Sequence, residues 1–113
     1  MDQQMIDSAH AATGFLKALA NENRLLILCH LVDGEKSVTE LEQLLKIRQP
    51  TLSQQLSRLR TEQFVKTRRD AKTIYYSLAS EEVVLTIQLL YKLFCERAEE
   101  PVIELFRELA TVK

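Results

Sequence analysis

The chain is poor in the residues that most non-helical folds depend on. Its 113 residues include two Gly, two Pro, two Cys and no Trp. So few turn formers leave little room for hairpins, and a mainly helical chain is expected. Cys29 and Cys95 are too few and too far apart for a disulfide scaffold or a zinc finger, and in a reducing cytosol they begin as thiols. The opening M-D-Q-Q-M-I-D has no basic region followed by an apolar stretch, so no secretory signal is visible. No apolar run approaches the roughly 20 residues that cross a bilayer. These absences point to a soluble, cytoplasmic protein with no membrane partner. C-x-x-C, a phosphate loop and a clustered nucleophile–base set are missing too, which argues against an enzyme, and no cofactor is expected.

What is present is unevenly placed. The formal net charge is −1, yet the stretch from Lys46 to Lys72 holds eight Lys/Arg against two acids, a net of +6. The remainder holds seven against fourteen, a net of −7. Phosphate binding needs local positive charge and is indifferent to the total, so duplex DNA is the expected partner. With 46% hydrophobic residues the chain can bury a small core, and its length fits a single domain over residues 1–113. Small single-core chains often borrow stability from a second subunit.

Periodicity gives the elements. Ile6, Ala9, Thr13, Leu16 and Leu19 predict a first helix over about 6–19. Asn21 is the N-cap expected for a second helix, which Asp33-Gly34 stops. Ser37-Val-Thr-Glu40 has capping-box spacing and opens a short third helix. Pro50 suits the first turn of a fourth, in which Leu52, Leu56 and Leu59 form the apolar side. F-V-K-T-R-R and T-I-Y-Y-S-L, linked by D-A-K, read as a hairpin. Ser80-Glu-Glu caps a long fifth helix to about Glu96 or Arg97, and Pro101 either kinks it or begins a sixth. The fold class is therefore mainly α with a small β-hairpin, α-α-α-α-β-β-α, a winged helix-turn-helix.

A-L-A-N-E-N-R-L-L-I-L, Q-P-T-L-S-Q-Q-L-S-R-L-R and R-R-D-A-K-T-I-Y-Y-S-L occur in that order, and over about residues 12–97 the chain resembles the ArsR/SmtB family of bacterial repressors. The resemblance implies DNA binding and a homodimer formed through the first and last helices. The long helix agrees: Val83, Val84, Leu85, Ile87, Leu89, Leu90, Leu93 and Phe94 exceed what one buried stripe needs. Two positions depart from the family, Gln63 and Ala71, where it often has Gly. Gln63 is expected to take a left-handed conformation at some cost.

A helix in the major groove needs polar side chains that reach base edges. Thr51, Ser53, Gln54, Gln55 and Arg58 supply them, with Gln49 and Ser57 beside them. Lys66, Arg68, Arg69, Lys72 and Thr73 on the hairpin suit phosphates or a narrow minor groove. Arg68→Ala is expected to weaken binding to all sequences and flatten its salt dependence, and Gln54→Ala to erode discrimination between sequences. The bland alternative is a solvated helix face and a charged hairpin.

The signal is less legible. Where the family's metal thiolates would stand, this chain has Ser37 and Thr39, and its long helix has no His. His10 and His30 read as surface or packing residues, and no metal site is expected. Cys29 should be at least partly buried, and taken singly each cysteine reads as a small buried apolar residue. L-L-I-L-C-H-L-V and L-Y-K-L-F-C-E together resemble the sulfide-responsive branch of the family. That resemblance implies that Cys29 and Cys95 sense reactive sulfur species such as persulfides, joining through a disulfide or longer sulfur bridge and releasing operator DNA. A peroxide sensor using the same thiols, or a metal sensor with an unrecognised site, are the alternatives.

Overall fold

The structure, a computed structural model, describes residues 2–95. The sixth helix expected after Pro101 and the helix end at Glu96 or Arg97 lie outside the described residues. Among those described, the order is α1 Gln3–Leu19, α2 Glu22–Leu31, β1 Lys36–Ser37, α3 Val38–Leu45, α4 Gln49–Thr61, β2 Val65–Asp70, β3 Thr73–Leu78 and α5 Glu81–Phe94. This is the expected winged helix-turn-helix with one addition, the short strand β1. Lys36 pairs with Tyr76 and Ser37 with Tyr75, giving an antiparallel sheet of order β1-β3-β2. Two residues show no alternation, so no sequence pattern marks this strand.

Side-chain caps set the helix starts. The Asp2 carboxylate accepts from Met5 N at 2.8 Å and starts α1 three residues before the expected Ile6. Asn21 accepts from Arg24 N. Ser37 and Glu40 form the complete reciprocal box, with bonds of 3.1 and 2.9 Å. Ser80 Oγ accepts from Val83 N at 3.2 Å. Each satisfies a backbone donor that the helix itself cannot. At the other end of α4, Gln63 adopts φ +63° and Phe64 N donates back to Leu59 O, so the chain reverses into β2. Ala71 at the hairpin tip takes φ +57° and Lys46 at the end of α3 +56°, both without glycine's freedom.

The core gathers Ile27, Leu28 and Leu31 of α2, Leu41 of α3, Leu52, Leu56 and Leu59 of α4, and Val83 and Ile87 of α5. Phe15 packs edge-on against Phe64 at 5.3 Å and ties α1 to the turn after α4. The apolar residues of α5 divide between two faces. Val83, Ile87 and Leu90 face this core, whereas Leu85 and Phe94 are 60% and 70% exposed. On α1, Met5, Ile6 and Leu16 are exposed as well. No helix among the described residues is long and apolar enough to cross a membrane.

Candidate nucleic-acid interface and thiol cleft

Burying Leu52, Leu56 and Leu59 turns the other side of α4 outward. Gln49, Thr51, Ser53, Gln54, Ser57 and Arg58 are all exposed there. No acid occupies the first turn of α4, so nothing opposes the partial positive charge of its N-terminus, a favourable place for phosphate. Gln55 differs from the rest. It is half-buried, and its Oε1 accepts a 2.9 Å hydrogen bond from Nη1 of buried Arg24. Arg58 is held by Glu62 one turn on, at 3.1 Å.

The two-residue turn Ala71-Lys72 brings the basic residues together on the wing. Lys66, Arg68, Arg69, Lys72 and Thr73 are exposed. Arg68 is nonetheless engaged: its Nε donates to Glu35 Oε2 at 2.9 Å, its Nη2 to Glu35 Oε1, and its guanidinium lies 4.6 Å from the centre of the Tyr75 ring. The hydrogen bond from Arg68 holds the Glu35 carboxyl below the usual carboxylate range, and the same bond raises the arginine's own pKa. Lys66, Arg69 and Lys72 have no such side-chain partner among the described residues. Glu35 had no sequence signal, because its partner lies 33 positions away.

A second feature lies between α2 and α5. Cys29, half-buried on α2, and Cys95, exposed at the C-terminal cap of α5, line one cleft of about 710 Å³. Leu26, His30, Asp33, Gln88 and Tyr91 contribute to the same walls. Burial pushes the Cys29 thiol up, and the neighbouring Cys95 adds to that, since a thiolate beside a second thiolate is disfavoured. Cys29 is partly buried as expected, but Cys95 corrects the reading of it as a small core residue: beyond Leu90 the helix has left its own core. His10 is exposed, and His30 is partly buried at the cleft. Among the described residues no group of three or more His, Cys, Asp or Glu comes together. Ser37, at one of the family's thiolate positions, is spent on capping α3.

Comparison with known proteins agrees with this geometry. Residues 21–67 match the model of the arsR family of bacterial regulatory proteins. The transcriptional activator HlyU of Vibrio cholerae is 47% identical over 94 residues, which is 83% of this chain and 87% of the relative. The structure of reduced HlyU covers 83% of this chain and 99% of its own, with a TM-score of 0.80. The biofilm growth-associated repressor of Agrobacterium fabrum is 52% identical over 84 residues, 74% of this chain and 72% of the relative. A homodimeric winged helix-turn-helix DNA-binding domain from Mycobacterium bovis, 28% identical, covers 88% of this chain and 93% of its own, with a TM-score of 0.72. These relatives are regulators rather than enzymes. With its winged helix-turn-helix and its exposed polar helix α4, the chain belongs to the arsR family of bacterial regulatory proteins and is a DNA-binding transcriptional regulator.

Proposed function

We propose that this chain is a homodimeric repressor that holds operator duplex DNA through α4 and the β2–β3 wing, and leaves it when reactive sulfur species link Cys29 to Cys95. The observation that carries the sulfur-sensing part is the meeting of both cysteines in one cleft. Support for the dimer comes from the exposed apolar faces of α1 and α5, and from the homodimeric Mycobacterium bovis neighbour. The single domain 1–113 then pairs through its first and last helices, and two copies of α4 read two half-sites about one helical turn apart, or a multiple of it. Support for a redox-dependent state comes from the similarity to HlyU, whose structure is that of the reduced protein. The similarity to a biofilm growth-associated repressor favours repression as the sign of control.

The chemistry follows from the exposure of the two thiols. Cys95 is open to solutes and meets the reagent first. Its thiolate attacks the outer sulfur of a small persulfide such as glutathione persulfide. Cys95 then carries an S–SH group, and glutathione leaves as thiolate. The Cys29 thiolate attacks the inner sulfur of that group and expels HS⁻, leaving a disulfide: two protein thiols are oxidised and one sulfane sulfur is reduced. When both cysteines carry S–SH, one displaces HS⁻ from the other and a three-sulfur bridge remains. Peroxide reaches only the plain disulfide, through a sulfenic acid and loss of water.

Peptide mass spectrometry of the reduced protein after glutathione persulfide, beside a peroxide-treated sample, tests this reading. A Cys29–Cys95 crosslink with added sulfur from the persulfide alone supports it. A plain disulfide in both samples makes the chain a general oxidant sensor. No crosslink in either removes the thiol switch, and a crosslinked dimer that still binds operator tightly removes the release step.

A further inference from the structure

Arg24 is 9% exposed and spans three elements. From α2 its Nε donates to Ala18 O at 2.6 Å and its Nη2 to Lys17 O at 3.4 Å, both at the end of α1. Its Nη1 crosses to α4 and donates to Gln55 Oε1 at 2.9 Å. A guanidinium has donors and no acceptor, so this bond fixes which way the Gln55 carboxamide is turned. Oε1 faces Arg24, and the two N–H donors of Nε2 have no partner among the described residues. Gln55 stands at the edge of the outward side of α4, directly after exposed Gln54.

A free glutamine pairs with adenine through both ends, accepting from N6 and donating to N7. Arg24 takes one of the two lone pairs of Oε1 and turns that oxygen toward α2, away from the outward side of α4, so the two-ended pair is disfavoured and Nε2 is the end left for DNA. We propose that Arg24 is a specificity-determining positioning residue: it turns Gln55 so that its Nε2 donors are presented to the DNA, and this side chain reads base acceptors (purine N7, guanine O6 or thymine O4). The proposal rests on α4 being the groove-reading helix. It adds that the base preference at one position is set by a residue on a different helix that touches no DNA.

The test is selection of bound duplexes from a randomised pool, using the full chain and two variants. Arg24→Lys keeps the charge but lacks the fork needed to hold both the α1 carbonyls and Gln55. Gln55→Glu keeps an acceptor for Arg24 and removes the N–H donors. At one position in each half-site, Arg24→Lys is expected to gain preference for adenine, and Gln55→Glu to turn toward cytosine, whose N4 donates. Each change should alter discrimination by several-fold to about tenfold, with Arg24→Lys leaving low-salt affinity for random duplex unchanged. If Arg24→Lys weakens all sequences equally, Arg24 is only structural and the proposal falls. It falls too if Gln55→Glu leaves every preference unaltered, a result that stands even where Arg24→Lys does not fold by circular dichroism. A wild-type protein that binds random duplex but selects no sequence defeats the groove-reading role of α4 instead.

Discussion

Replacing Glu35 by Gln is expected to tighten the protein on duplex DNA of any sequence. Glu35 takes Arg68 through two nitrogens, and that bond holds its carboxyl below the usual range and so favours its charged form. One of the wing's positive charges is thus already neutralised before a phosphate arrives. The pair is exposed, so releasing it costs little. In Glu35→Gln the side-chain carbonyl still accepts from Arg68 and the Tyr75 ring still supports the guanidinium, but the charge is no longer cancelled. One additional phosphate neutralised steepens the dependence of log affinity on log salt by about 0.9, so lowering salt fourfold gains the variant about 3.5-fold over the wild type. Fluorescence anisotropy on a random duplex across that salt range measures it. Parallel lines for variant and wild type would refute the reasoning. The same pairing revises the expectation for Arg68→Ala: its slope should flatten less than that of Arg69→Ala, since Arg69 has no described counter-charge.

Three further outcomes are expected. Ser37→Ala removes the acceptor for Glu40 N and should lower stability by about 1 kcal/mol, read as a lower urea midpoint at unchanged slope. Gln63→Gly relieves φ +63° and should raise stability by up to about 1 kcal/mol, the left-handed cost less glycine's entropy, read as a higher midpoint. With iodoacetamide near neutral pH, exposed Cys95 should react before Cys29. Raising a thiol's pKa lowers its thiolate fraction, so the Cys29 rate should climb at higher pH than that of an unburied cysteine, and a Cys29 rate matching Cys95 at neutral pH would contradict this.

Local signals carried most of the fold into the sequence. The Asn21, Ser37 and Ser80 caps and the Leu52–Leu56–Leu59 spacing involve residues within a turn or two of one another, and all occur as expected. The hairpin was legible for the same reason, its strands separated only by Ala71 and Lys72. Strand β1 was not, because two residues gain their strand character only from Tyr75 and Tyr76 far along the chain. The candidate interface divides the same way. Exposure of Thr51, Ser53 and Gln54 follows from helical period, whereas the commitment of Gln55 to Arg24 and of Arg68 to Glu35 depends on partners more than 30 positions away. Residue type alone made both look like free DNA contacts.

In the proposed switch, α2 is the element common to both sites. Arg24 and Cys29 lie on the same ten-residue helix, about 7.5 Å apart along its axis, which is short enough for the helix to move as a rigid piece. A sulfur bridge to Cys95 would bind α2 to the end of α5. Closing the chain between positions 29 and 95 is worth about 4 kcal/mol in the chain-entropy model. A hundredfold loss of DNA affinity needs only about 2.7 kcal/mol of difference between two arrangements of α2. Any such displacement reaches α4 through the guanidinium that holds Gln55, as well as through the leucines packed between the two helices. Arg24→Lys should therefore narrow the gap in operator affinity between the reduced and the bridged dimer, by raising the bridged form's relative affinity rather than by weakening both forms alike. Titrating one operator duplex with both forms of each protein gives four dissociation constants. Equal ratios in wild type and variant would mean that the leucine packing alone connects the cleft to the recognition helix.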